Sequence, residues 1–167
     1  LLEAFAKTPR PLTLKIVDGR IEDDGLVMNA LRGYGIEDRV VLVKRMLTVP
    51  ELVEQYSTAR VAIVPSYFEG FGFPASEAMA CGLPVIATAN GALPEVVGSS
   101  GAAGRLVPFG DVDALSSAML ELGEDPEKAR ALGEAARRRI EHVFSWEEAG
   151  RRTAEALEEV VRAHRRP

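Results

Sequence analysis

The chain has 167 residues, of which 47% are hydrophobic and 27% charged, the balance of an ordinary globular domain with a single core. Twenty basic and 25 acidic side chains give a net charge of −5, which excludes the basic surface that nonspecific binding to nucleic acid requires. The sequence has no apolar run of 18 residues, no signal-peptide pattern and one cysteine, so it predicts no disulfide framework and favours a cytoplasmic location.

Hydrophobic periodicity predicts alternating helices and strands in the first 60 residues. The helix that follows Thr48 begins with a capping box closed by Glu51, and we expect Leu52, Val53, Tyr56 and Ala59 to form its buried stripe. The predicted elements are helix 1–7, strand 12–17, helix 22–34, strand 40–43 and a helix that starts at 49.

The same alternation continues to the end of the chain. It predicts an α/β fold, a Rossmann-like parallel sheet with helices on both faces. Cys81, at a helix end, is expected to be a buried small hydrophobe. The predicted elements are strand 61–64, helix 75–81, strand 85–87, helix 93–97, strand 104–107, a helix after Asp111, and helices 127–142 and 146–164.

Segment 65–95 carries most of the functional signal. Pro65 ends a β-branched strand because it cannot donate to a ladder, and Glu69 follows on a glycine-rich loop. Pro74 is suited to the start of a helix, one turn into which stands Glu77. Ligands of parallel sheets bind at the carboxyl ends of the strands, and a helix N-terminus favours anions. We therefore expect both carboxylates to face one crevice there.

This segment resembles the C-terminal domain of the retaining group 1 (family 4) glycosyltransferases, which have the GT-B fold. Seven residues separate the two glutamates, as in that family. The resemblance implies that residues 1–167 are the nucleotide-sugar-binding C-terminal domain of a two-domain enzyme, with the first, central strand of the sheet missing. The start at Leu1 also suggests a fragment. The matching residues are Pro65-Ser66, Glu69-Gly70-Phe71-Gly72, Glu77-Ala78-Met79-Ala80, Gly82-x-Pro84-Val85-Ile86-Ala87 and Gly91-x-x-x-Glu95.

The resemblance also implies a role for each residue near the transferred sugar. Glu69 is expected to bind the donor sugar and to act in catalysis by stabilising positive charge at the anomeric carbon. Backbone N–H groups of Phe71, Gly72 and Phe73 would hold hexose hydroxyls and a phosphate oxygen, while the two phenylalanine rings pack against protein. Glu69 itself is not expected to act as a covalent nucleophile.

The nucleotide is assigned, by the same resemblance, to residues on three segments. The carboxylate of Glu77 would accept from both ribose hydroxyls, and Gly91 would shape the loop beside the phosphates. Met46 and Lys44 follow strand 40–43, where the family binds the base. Lys44 stands where the family usually has glycine, and for Lys44 and Arg45 a solvated charge pair remains an equal alternative to ligand binding. No metal site or cofactor is implied.

The implied activity is transfer of a sugar from a nucleoside diphosphate sugar to an unidentified acceptor, in polysaccharide or glycolipid biosynthesis. The acceptor would be held by an N-terminal domain of the same protein, and the resemblance allows peripheral membrane association of the full-length enzyme. The family's Gly-Arg and Lys-Gly phosphate clamp is absent from this sequence, so residues 1–167 alone are expected to be inactive. The alternatives are a nucleotide-sugar epimerase of the same fold and a non-catalytic nucleotide-sugar-binding domain.

Overall fold

The computed structural model describes residues 1–19 and 25–164, over which helices and strands alternate. Residues 22–24 of the predicted helix 22–34 therefore lie outside the described residues. The elements are α1 (Leu2–Ala6), β1 (Leu14–Val17), α2 (Gly25–Tyr34), a 3₁₀ turn (Glu37–Arg39), β2 (Val40–Val43), α3 (Val49–Thr58), β3 (Ala62–Val64), α4 (Phe73–Ala80), β4 (Val85–Thr88), α5 (Leu93–Val97), β5 (Gly104–Val107), α6 (Val112–Glu124), α7 (Pro126–Val143) and α8 (Trp146–His164).

All the strand pairs in this part of the chain are parallel, and they form two sheets. One pairs β1 with β2, with Leu14 opposite Val40, and the other has the order β3-β4-β5, with Ile63 opposite Ile86. β1 and β3 both line a cleft of about 1190 Å³ between the sheets. The parallel α/β class is thus confirmed, and the missing central strand stays a prediction.

Strand β4 shows that helices cover both faces of the larger sheet. All four of its residues are buried. Val85 and Ala87 belong to a core cluster that includes residues of α4 and α5, whereas Ile86 belongs to a second cluster with residues of α1 and α6. Because successive strand residues point to opposite faces, this division places core on each side of β4.

Helix α4 starts two residues earlier than predicted. Gly72 precedes it in the left-handed region, with a φ of +89°, and Pro74 occupies the first turn. Gly82, with a φ of +78°, follows the helix. Cys81 is only partly buried, so the expectation of full burial is wrong, because this residue lines the cleft between the sheets.

The predicted buried stripe of α3 is also wrong. None of the residues of α3 is buried, and Val53 is 44% exposed. Leu52 and Tyr56 line the cleft instead of packing beneath a sheet. Helix α8 likewise buries no residue, and Trp146 is 92% exposed. Among the helices of residues 1–19 and 25–164, none combines the length and apolar character that crossing a membrane requires.

Candidate functional site

The β3–α4 loop is hydrogen-bonded to the β4–α5 loop at three successive points. Both loops follow the carboxyl ends of neighbouring parallel strands, the edge at which ligands bind in such sheets. The loop that carries the first glutamate of the motif is therefore held by its neighbour. The bonds run from Thr88 Oγ1 to the carbonyl of Ser66, from Asn90 Nδ2 to the carbonyl of Tyr67 (3.0 Å) and from the N–H of Ala92 to the carbonyl of Glu69 (3.0 Å).

The carboxylate of Glu69 is oriented from within its own loop. Its side chain is half-buried, and the hydroxyl of Ser66 donates to Oε1 over 2.8 Å. Gly91, which was assigned to the phosphate loop, lies directly against the Glu69 backbone: a Cβ on Gly91 would stand 2.4 Å from the Glu69 carbonyl oxygen. Glycine is thus required at 91 to let the two loops approach each other.

The two phenylalanines that flank Gly72 pack against each other at the surface, where Phe71 is 41% and Phe73 66% exposed. The ring centroids of Phe71 and Phe73 are 4.8 Å apart, and the Phe71 ring also lies 6.0 Å from that of Phe144. A Cβ on Gly72 would come within 3.0 Å of Leu93, so this position too has room only for glycine. The packing holds the backbone of residues 71–73 at the N-terminus of α4, where N–H groups favour anionic ligands.

Glu77 lies on α4 and lines the cleft between the two sheets, whereas Glu69 does not line it. The hydroxyl of Tyr56 lies 3.4 Å from Glu77 Oε2. Burial of the phenol, followed by the nearby charge of Glu77, raises the pKa of Tyr56 to about 12. Glu69 and Glu77 thus have separate partners: Glu69 is bonded within its loop, and Glu77 faces α3.

The segment 44–46 follows β2 and is exposed. The guanidinium of Arg45 forms an ion pair with Glu51 over 2.8 Å. Hydrogen bonds from Arg45 and then from Thr48 lower the pKa of Glu51 to about 2. The Arg45 guanidinium therefore joins segment 44–46 to the first turn of α3. Lys44 is exposed, and Met46 is 74% exposed.

Sequence reasoning missed the role of Gly19. A Cβ on Gly19 would stand 2.5 Å from Met46 Sδ and 2.8 Å from the Met46 backbone nitrogen. The segment after β1 therefore packs against the segment after β2, beside the residues assigned to the base. The available signal was a glycine immediately after a strand, which indicates a close approach of backbone as well as a turn.

The two histidines stand apart from these loops. His142 and His164 are exposed on α7 and α8. Within residues 1–19 and 25–164, no group of three His, Cys, Asp or Glu side chains is arranged to hold a metal ion.

Comparison with known proteins gives one consistent result. Residues 1–139 match the sequence profile of the family described as glycosyl transferases group 1. The MMP alpha-(1->4)-mannosyltransferase of Mycolicibacterium hassiacum is 39% identical over 163 residues, which cover 96% of this chain and 39% of that protein. A D-inositol 3-phosphate glycosyltransferase of Kribbella flavida is 42% identical over 118 residues, covering 70% of this chain and 27% of that protein.

Solved structures agree. Sucrose-phosphate synthase of Thermosynechococcus elongatus superposes with a TM-score of 0.82 and 36% identity, over 97% of this chain and 41% of that chain. Anabaena HepE, in complex with UDP, superposes with a TM-score of 0.82 and 25% identity, over 95% and 44% of the respective chains. The fold is that of the GT-B glycosyltransferases. The chain belongs to the group 1 glycosyl transferase family, and it spans about two fifths of the length of the mannosyltransferase.

Proposed function

We propose that this chain is the donor-binding C-terminal domain of a retaining glycosyltransferase. It binds a nucleoside diphosphate sugar, and an N-terminal domain of the same protein binds the acceptor. The proposal rests on the hydrogen bonds that position Glu69. Ser66 orients its carboxylate, and the β4–α5 loop fixes its backbone at the carboxyl edge of the sheet. These contacts hold the carboxylate at the edge where ligands of parallel sheets bind.

The chemistry follows from where charge develops. The bond between the anomeric carbon and the diphosphate oxygen breaks, and the nucleoside diphosphate leaves with the bonding electrons. The acceptor oxygen attacks from the same face, and its proton passes to the departing phosphate oxygen. Glu69 stabilises the positive charge on the sugar, while N–H groups at the start of α4 stabilise the negative charge on the phosphate.

The nucleoside is bound on the side of α4 that faces α3, where Tyr56 lies 3.4 Å from Glu77 Oε2. Glu77 accepts from the ribose diol, since an ionised carboxylate has two oxygens and can bond both hydroxyls. The exposed Met46 and Lys44 lie at the carboxyl end of β2, the part of the edge assigned to the base. UDP bound to Anabaena HepE supports a nucleoside diphosphate as the ligand class.

The test is product analysis with the complete protein. It is incubated with UDP-, GDP- and ADP-sugars and with polyol and glycan acceptors, and NMR records the anomeric configuration of the product. We expect a transferred sugar with the configuration of the donor. An epimerised donor without transfer would identify an epimerase, and donor binding without turnover would identify a binding domain; either result would overturn the proposal. Residues 1–167 alone are expected to give no turnover.

A further inference from the structure

Two neighbouring residues link the last turn of α3 to other elements: Gln55 Oε1 accepts from Lys15 Nζ of β1 over 2.8 Å, and Tyr56 contacts α4. None of the residues of α3 is buried. Within residues 1–19 and 25–164, the Tyr56 ring is the one side chain of α3 that packs against a buried core cluster, the cluster that contains Ala75 and Met79 of α4. The contact of α3 with α4 therefore depends on what this tyrosine contacts.

The hydroxyl of Tyr56 contacts two oxygens of α4. It lies 3.4 Å from Glu77 Oε2 and 3.5 Å from the carbonyl oxygen of Pro74. Because burial and the Glu77 carboxylate raise its pKa to about 12, the phenol keeps its proton at neutral pH and acts as a donor to either oxygen. Tyr56 thus joins the last turn of α3 to the first two turns of α4.

Helix α3 starts directly after the segment 44–46. Its first turn is tied to that segment by the ion pair of Arg45 with Glu51, and Glu51 also accepts from the N–H and hydroxyl of Thr48. At one end, then, α3 is bonded to the loop assigned to the base. At the other end, Tyr56 bonds it to the carboxylate assigned to the ribose.

We propose that Tyr56 is a positioning residue for the nucleotide: its hydroxyl fixes Glu77 Oε2, so that the carboxylate is pre-oriented toward the ribose diol at a set distance from segment 44–46. This inference rests on the proposed role of Glu77. A carboxylate on an exposed helical turn samples several rotamers, and a donor on one oxygen reduces the entropy that ligand binding must remove.

The test compares the affinities of each protein variant for a ribonucleotide and for the matching 2′-deoxynucleotide. Calorimetry on the complete protein measures the affinity for UDP, GDP and ADP and for their 2′-deoxy counterparts, with the base that binds best used throughout. Tyr56→Phe keeps the ring and removes only the hydroxyl. We expect it to weaken binding of the ribonucleotide by about threefold to tenfold, the range of one hydrogen bond, and of the deoxynucleotide by less than about twofold. Tyr34→Phe, on the exposed end of α2, is the matched control and is expected to change neither affinity.

The ratio of the two affinities does not depend on how much of the protein is folded, so a loss of stability cannot imitate the expected result. Equal weakening of both nucleotides by Tyr56→Phe would show a purely structural role and overturn the inference. The inference would also be overturned if Glu77→Ala lowers the ratio of ribonucleotide to deoxynucleotide affinity and Tyr56→Phe leaves that ratio unchanged. If Glu77→Ala itself leaves the ratio unchanged, the ribose assignment of Glu77 fails and the inference fails with it. In Glu77→Ala, the added Tyr56→Phe change is expected to have no further effect on the ratio.

Discussion

Gly91 lies so close to Glu69 that a Cβ at position 91 would stand 2.4 Å from the Glu69 carbonyl oxygen and 2.9 Å from its nitrogen. The next residue, Ala92, donates its N–H to the same carbonyl over 3.0 Å. Gly91 has a φ of +56°, which lets the chain turn directly beneath the β3–α4 loop. The backbone of the proposed catalytic glutamate is therefore set by a residue 22 positions later in the sequence.

Gly91→Ala is expected to impair transfer more than stability. The methyl group cannot occupy the space of the Glu69 backbone, so the loop must move, and misplacement of about 1 Å at a reacting group can lower the rate by about 100-fold. The control is Gly35→Ala, since Gly35 also has a positive φ of +64° but has nothing within 4 Å of its Cβ position. Both changes incur a backbone cost of about 1 to 2 kcal/mol. Initial transfer rates and thermal unfolding separate the two effects; equal rates in the two variants would contradict the prediction.

Alanine substitutions of the two glutamates are expected to change different kinetic constants. Glu77→Ala removes contacts made equally in the ground and transition states, so it should raise the donor KM. The expected loss of donor binding free energy is about 2 to 4 kcal/mol. Glu69→Ala should mainly lower kcat and leave the affinity for the free nucleoside diphosphate near normal, because charge appears on the sugar only as the bond breaks. Calorimetry and steady-state kinetics measure both, with Glu134→Ala on α7 as the surface control. The reverse pattern would mean that the roles are exchanged.

Arg39 is a buried guanidinium that holds the segment between α1 and β1, and its loss should destabilise the fold. It is 8% exposed, and it donates to carbonyls of Thr8, Pro9 and Leu12 over 2.9 to 3.2 Å. It also lies 4.4 Å from the centre of the Phe5 ring. Arg39→Met fills similar volume but leaves these carbonyls without their donor. We expect a loss of about 2 to 4 kcal/mol in the free energy of unfolding.

Chemical denaturation measures this loss, with Arg32→Met as the control. The Arg32 side chain is 62% exposed and its ion pair with Glu37 is 3.4 Å long, so its removal should change stability by less than about 0.5 kcal/mol. Similar losses in the two variants would show that the buried position of Arg39 contributes nothing.

Protonation of Glu121 is expected to account for part of the loss of folding stability at acid pH. Hydrogen bonds from Arg105 first, and then from Lys128, lower the pKa of Glu121 from 4.5 to about 2. A pKa lowered by folding contributes stability that is present above the unfolded value of 4.5 and is lost as the pH falls toward 2. In Glu121→Gln, Tm should therefore fall less between pH 6 and pH 3 than in the wild type. Glu134→Gln, whose partner Arg130 is on the same helix, should retain the wild-type pH profile.

Burial on the outer helices was the least predictable part of the fold. The periodicity of Leu52, Val53 and Tyr56 describes an amphipathic helix correctly, but it does not say what that helix faces. In the structure α3 borders the cleft between the two sheets, so these residues are half-buried or exposed. Hydrophobic spacing is a property of one segment, whereas burial needs a partner surface elsewhere in the chain.

The sequence by itself determined the parallel α/β class, the positions of the strands and the motif that contains Glu69 and Glu77, because each depends on residues close together along the chain. Only the tertiary structure decided which of those residues hold one another. Tyr56 meets Glu77 across 21 positions and Arg39 meets Thr8 across 31. The first contact forms where α3 and α4 lie side by side, and the second where the segments that precede β1 and β2 meet at the amino ends of these paired strands. No local spacing encodes either arrangement.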